Sequence, residues 1–381
     1  MLNHGSFGAC PRPVLELQDR LRTQMEGEPV RFFFREMQPL LDESRRALAA
    51  LIGADEADLV FVCNATTGVN SVLRSLRLAA GDELLVTDHQ YNACRNVVDF
   101  VARRAGANVV VAAVPMPVES PQQVIDAILR HVTERTRLAM IDHVTSPTAV
   151  VFPIEELVAR LQGRGVDVLI DGAHAPGMIP LDLRRIGAAY YTGNCHKWLC
   201  APKGAGFLYV RRDRQPGIQP AVISHGYNTP RRGSPRFHDA FDWPGTDDPT
   251  PWLCVAEAIR FLGSLTGGGI DGLMRRNREL ALYGRRLLCE ALDLRPTCPE
   301  EMVGSLAAMR LPDDAGPISL DTGTSIVPTH PVQAELFERY GIEVPIYHWP
   351  AAPRKLLRIS AQAYNGSTQY EKLAEALRRV L

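Results

Sequence analysis

From residue 59 to residue 210 the chain repeats one pattern: a short, nearly continuous apolar run, a turn, then a longer amphipathic stretch. The runs at 59–63, 83–87, 109–114, 138–142, 166–171, 190–193 and 206–210 are too short for helices. Several are uniformly apolar, as strands covered on both faces are. Between them, 68–78, 93–105, 121–132 and 154–164 carry the spacing of one-sided helices. This alternation predicts an α/β domain on a mostly parallel seven-stranded sheet, with ligands gathered at the carboxyl ends of the strands.

Past residue 224 the character changes. Residues 224–250 are rich in Gly, Pro, Arg and aromatics and too long for a plain connection. Helical patterns at 252–265, 271–292 and 370–380, with short apolar runs before the last, predict a smaller C-terminal α/β domain. The expected division is an N-terminal segment 1–14, a large domain 15–250 and a small domain 251–381.

Composition removes several classes of function. A net charge of −1 with scattered arginines and no basic block argues against nucleic acid. No apolar run reaches the ~18 residues of a membrane span, and the start lacks the charged and apolar regions of a secretion signal. Eight cysteines without metal-ligand spacing read as reduced thiols in a cytoplasm, with no metal site.

Lysine is scarce: among 42 basic residues only Lys197, Lys203, Lys355 and Lys372 are lysines. Lys197 follows His196 in Tyr-Tyr-Thr-Gly-Asn-Cys-His-Lys-Trp, downstream of an apolar run that ends in Asp171-Gly-Ala-His174. A pyridoxal phosphate enzyme needs a lysine to hold its cofactor as an imine and an acid to keep the pyridine nitrogen protonated. A guanidinium cannot replace that lysine, because it stays protonated. Asp171, at the end of a buried strand, needs a partner, and a pyridinium supplies one. His174 could contact the cofactor's phenolic oxygen; His196 could reach its phosphate or relay a proton. Asn64-Ala-Thr-Thr-Gly-Val-Asn70 opens a helix after a strand, which suits a phosphate as well as an ordinary cap. In Asp88-His-Gln-Tyr-Asn92 an imidazole or a phenol is placed to stack on an aromatic ring.

Over nearly its whole length the chain resembles the aminotransferase class V family, fold-type I pyridoxal phosphate enzymes, in the branch typified by isopenicillin N epimerase. The resemblance rests on Leu2-Asn-His-Gly-Ser-Phe-Gly8, Asn64 to Asn70, Asp171-Gly-Ala-His-Ala-Pro-Gly177, Tyr191 to Trp198, Ala201-Pro-Lys-Gly-Ala205, Trp243-Pro-Gly-Thr-Asp-Asp-Pro-Thr250 and Leu357-Arg-Ile-Ser360. It implies that Lys197 is the imine lysine, Asp171 the partner of the ring nitrogen, His174 the contact to the phenolic oxygen and His89 the stacking residue. It gives the phosphate to Ala65, Thr66 and Thr67. Asn194 stands where the family often has serine, and an amide can still donate there. Thr246 would reach the phosphate of a neighbouring subunit's cofactor, implying a homodimer with shared sites. Arg358 would grip the substrate α-carboxylate, with Asn3, His4 and Ser146 nearby, so that the N-terminal segment packs near the site.

These motifs specify cofactor and fold more closely than reaction. Desulfurases of this class carry a cysteine on a loop before the carboxylate arginine, whereas the last cysteine here is Cys298. β-Elimination from a cysteine S-conjugate or sulfoxide needs one base and is ranked ahead of epimerisation, which needs an acid or base on each face of the α-carbon. Transamination, decarboxylation-linked deamination and a silent binding module stand behind these. Arg231, Arg232 and Arg236 suggest either an anionic substrate or a solvated basic loop.

Overall fold

The computed structural model describes residues 1–231, 233–314 and 329–381. Each of the seven runs forms a strand: β1 (Leu59–Val62), β2 (Glu83–Thr87), β3 (Asn108–Ala112), β4 (Thr136–Asp142), β5 (Asp167–Gly172), β6 (Tyr190–Asn194) and β7 (Gly206–Val210). Their order across the sheet is β1-β7-β6-β5-β4-β2-β3. Pairings from β3 through β6 are parallel, and β7 runs antiparallel to both β6 and β1.

The period-2 alternation of a strand explains why these runs read as uniformly apolar. In β4, Leu138 and Met140 enter one apolar cluster and Ala139 and Ile141 the other, so helices cover both faces. Edge strand β3 is only half buried. Emptying one such position, as in Ile170→Ala, should cost about 2–5 kcal/mol through the lost transfer energy and the cavity left behind.

Helix Ala65–Ser75 lies so close to β6 that a Cβ on Gly68 would stand 2.2 Å from Thr192 Oγ1. That contact pins the amino end of the helix beside the carboxyl end of the sheet. The pattern expected at 252–265 divides at Cys254 into Thr250–Leu253 and Val255–Ser264. Beyond it, the long helix Gly269–Leu292 packs against Ser367–Val380. These two accompany an antiparallel sheet of order β8-β10-β9, made from β8 (Leu306–Leu311), β9 (Ile346–His348) and β10 (Lys355–Ser360).

The N-terminus joins this smaller sheet to the large one. Leu2 receives the amide of Ser360 and Gly5 donates to Ser360 Oγ, binding the first turn to the end of β10. Among the described residues no single helix is long and apolar enough to cross a membrane.

Candidate active site

Asp171 and Asp142 face each other in register at the carboxyl ends of β5 and β4, and the loop after β6 carries Lys197 past them. Together with the start of helix Ala65–Ser75 and Ser6 and Phe7 from the N-terminus, they enclose a cavity of about 250 Å³.

Lys197 lines this cavity, its Nζ 3.2 Å from His174 Nε2. Burial, and then the Arg358 cation, lower its pKa to about 8, against the opposing charges of Asp171, Cys94 and Asp142. Asp171 is 3% exposed; its oxygens accept from the Ala173 amide at 3.0 Å and the Cys94 thiol at 3.1 Å. No cationic side chain among the described residues forms an ion pair with it. A buried carboxylate held by two weak neutral donors has room for a charged one, as a protonated ring nitrogen is.

Asp142 was not legible as a site residue. Burial, and then the charge of Asp171, push its pKa well above the usual carboxylate range, and Gln90 Nε2 donates to it at 3.1 Å.

Of the three phosphate candidates, Ala65 and Thr66 line the cavity and Thr67 does not. Asn64 caps the helix and takes both the amide (2.9 Å) and the hydroxyl (3.1 Å) of Thr67. Asn194 turns its side-chain oxygen to the Ala65 amide at 2.8 Å, acting as acceptor rather than donor in that bond. His196 lines the same end. Its Nδ1 is bonded to the Ala205 carbonyl at 2.8 Å, so Nε2 carries the free lone pair. Burial lowers its pKa to about 4, opposed by that bond to Ala205 and assisted by Lys197 and Lys203.

His89 is the clearest departure. It is fully buried outside the cavity, with Nδ1 on Thr148 Oγ1 (2.7 Å), Nε2 on the Val114 carbonyl (3.1 Å) and its ring against Trp349. Both nitrogens are satisfied and neither ring face is open. Tyr91, two residues on and 44% exposed, lines the cavity instead. The phenol in that motif was the alternative left open by the residues themselves.

Behind the cavity-lining Ser6 and Ser146, Arg358 is buried without a carboxylate partner among the described residues, and its Nε has no hydrogen-bond partner. Nη1 reaches the carbonyl (2.5 Å) and hydroxyl (3.3 Å) of Ser146, Nη2 reaches Ser6 Oγ (3.1 Å), and the guanidinium lies over the Tyr347 ring. Asn3 and His4, expected near the substrate, stand behind Ser6 and Lys197. Asn3 Oδ1 accepts from Ser6 Oγ at 2.5 Å, and His4 Nε2 is bonded to the Lys197 carbonyl at 3.0 Å. Gly8, at φ +72°, allows this approach, since a Cβ there would lie 2.0 Å from the His196 carbonyl oxygen.

The described residues of the 224–250 segment lie away from the Lys197 cavity. Arg231 pairs with Asp239 (2.7 Å) and Asp242 (2.9 Å) in its own segment, and Arg236 bonds the Tyr227 carbonyl, so neither turns to the Lys197 cavity. Arg232 lies outside the described residues. Thr246 does not line its own chain's Lys197 cavity; it borders a larger, mainly apolar one of about 760 Å³ with Phe33, Phe34 and Trp243.

Asp314, His330 and His348 gather as three possible metal donors. Asp314 already pairs with Lys355, while His330 Nδ1 receives the Val332 amide and directs Nε2 to Asp314. Their donor atoms are engaged in a structural network.

The model of the aminotransferase class-V family matches residues 9–298. Isopenicillin N epimerase of Streptomyces clavuligerus is 36% identical over 389 residues, covering 99% of this chain and 93% of that protein. Putative L-cysteine desulfhydrase 1 of Oryza sativa subsp. japonica is 34% identical over 411 residues, covering 100% and 83%. Among solved structures, the cystine C–S lyase C-DES in complex with its reaction product cysteine persulfide superposes with a TM-score of 0.80 at 22% identity, covering 99% of this chain and 96% of that one.

Proposed function

The chain belongs to the aminotransferase class-V family of fold-type I pyridoxal phosphate-dependent enzymes, and from that premise we propose that it catalyses β-elimination of a sulfur leaving group from a cysteine-derived amino acid. Lys197, Asp171, Ala65, Thr66 and His196 would hold the cofactor. Bound there, it supplies an electron sink conjugated to the substrate α-carbon.

The remaining work falls to the chain. Asp171 would keep a proton on the cofactor's ring nitrogen, because two neutral donors leave its charge uncompensated. The Arg358 fork exchanges its Ser6 and Ser146 contacts for the substrate carboxylate, a stronger, charge-assisted pair. Lys197 Nζ, as the neutral amine, would take the substrate α-proton. The Cα–H electrons form the Cα–Cβ double bond as the Cβ–S bond breaks, Nζ returns the proton to the departing sulfur group (thiolate, or sulfenate from a sulfoxide), and water hydrolyses the released 2-aminoacrylate, through its imine tautomer, to pyruvate and ammonia.

The observation that carries this reading is the acid–base inventory of the cavity. Lys197, near pKa 8, is the base poised for work around neutral pH. Burial holds His196 and His174 neutral, and burial with the neighbouring charge of Asp171 pushes the Asp142 pKa upward. One base suffices for elimination. Epimerisation is the second reading, favoured by the Tyr91 phenol in the same cavity and by the named epimerase relative. Incubating the holoenzyme with L-cysteine, S-alkyl cysteines and cysteine sulfoxides separates them. Stoichiometric pyruvate and released sulfur species are expected; intact substrate with an inverted α-carbon would establish the epimerase instead.

The same reading includes a homodimer, with Thr246 of each subunit completing the phosphate site of the other. Eight free cysteines, most of them buried, suit a reducing cytoplasm.

A further inference from the structure

Trp198 follows Lys197 and is fully buried. Its indole N–H, which can only donate, lies 3.3 Å from His174 Nδ1. The other imidazole nitrogen, Nε2, lies 3.2 Å from Lys197 Nζ. Both ring nitrogens therefore have one defined neighbour each, in a ring that is itself 2% exposed.

A doubly protonated His174 would set an N–H against the indole N–H. Burial foremost, and the neighbouring Arg358 cation, keep the ring neutral. A neutral imidazole has one proton. With Nδ1 accepting from Trp198, that proton sits on Nε2 and points at Nζ. An ammonium at Lys197 would oppose it, N–H against N–H, whereas a neutral amine offers its lone pair. Other groups acting on Nζ pull both ways: Asp171, Asp142 and Cys94 favour the ammonium, Arg358 the amine. His4 holds the geometry from behind, with its ring 5.0 Å from the Trp198 ring and its Nε2 on the Lys197 carbonyl.

We propose that Trp198 is a positioning residue that locks His174 in the Nε2–H tautomer, and that His174 thereby disfavours the Lys197 ammonium and keeps Nζ a neutral amine, the form that can bond to carbon once its lone pair leaves the imidazole N–H. The proposal rests on the reading of Lys197 as the reactive amine, but the state of the imidazole is measurable whatever the reaction is.

The test uses the full chain labelled with ¹⁵N at histidine, the His174 signals being assigned by their loss in His174→Gln. Long-range ¹⁵N–¹H correlations are expected to show a single tautomer protonated at Nε2 in the parent protein. In Trp198→Phe, which keeps an aromatic ring and removes the donor, mixed or reversed tautomers are expected. Replacing the Trp198 side chain by its benzothienyl isostere removes the same N–H while preserving volume, and should behave alike. The second readout is the pH midpoint for pyridoxal phosphate uptake by cofactor-free protein. It should rise by about one unit in both Trp198 variants, the scale of one lost hydrogen bond, and show no further rise when His174→Gln is already present. A His174 protonated at Nδ1 in the parent would overturn the proposal without any variant. So would an unchanged Nε2–H tautomer after loss of the indole donor, or an equal midpoint shift in the His174→Gln background. Failure of β-elimination with an intact tautomer would instead count against the proposed reaction.

Discussion

Arg358 Nη2 donates to Ser6 Oγ across 3.1 Å, joining residues 352 positions apart in sequence. The contact makes the N-terminal turn part of the wall that holds the buried guanidinium. With Ser146 on Nη1 and Nε unpartnered, Arg358 is a buried cation with neutral partners only, among the described residues. A substrate carboxylate would complete it. Arg358→Lys, which cannot present a planar fork, should raise KM by about tenfold to a hundredfold, the scale of 1.5–3 kcal/mol for hydrogen bonds to a charged group. Ser6→Ala should act in the same direction and more weakly. Steady-state kinetics at fixed cofactor saturation would check both.

Lys197 sets a pH dependence. Its pKa of about 8 lies below lysine's ordinary value, chiefly through burial and then through Arg358. The amine must be neutral to attack a carbonyl, so cofactor uptake by the cofactor-free protein should accelerate as pH rises through about 8 and level off above it. Arg358→Gln removes a cation that disfavours the ammonium, so its midpoint should move upward. Stopped-flow uptake across pH 6 to 10, at constant ionic strength, reads both curves. A downward shift in Arg358→Gln would have the wrong sign.

Replacing Asp171 by Asn preserves shape and removes charge. Turnover should fall by at least about a hundredfold, comparable with loss of roughly 3 kcal/mol of preorganised electrostatic stabilisation, while the phosphate contacts still retain cofactor. Near-normal turnover in holo Asp171→Asn would remove that residue from its role.

Thr246 tests the shared site. Mixing Thr246→Val with Lys197→Ala subunits should form dimers having one site with both lesions and one with neither. Partial recovery of activity on mixing is expected, since each subunit would lend its Thr246 to the other. Recovery should be absent if Thr246 acts only within its own chain.

Much of the scaffold was legible because strands covered on both faces write themselves as unbroken apolar runs. The Asp171 and Lys197 motifs sat at the ends of such runs and read directly. Burial is harder to read. His89 and Tyr91 occupy one short loop, and nothing in their order says that Thr148 and Val114 would engage both imidazole nitrogens and leave the phenol in the cavity. Asp142 looked like any acid at a strand end until its register opposite Asp171 was known. Ser6 was overlooked for Asn3 and His4 because their roles depend on a turn packed against residues 340 or more positions away. Helices Arg12–Gly27 and Met37–Ile52 carried no motif, although both pack against Thr250–Leu253 and Val255–Ser264.

The central claim is that the cavity around Lys197 holds the cofactor covalently through that one amine. Borohydride reduction of the holoprotein followed by peptide mass mapping tests it in a single measurement. A pyridoxyl phosphate group on the peptide containing Lys197, lost together with the visible absorption band in Lys197→Ala, is the expected result. The same group on Lys203, or a protein that binds pyridoxal phosphate with no lysine modified, would contradict it.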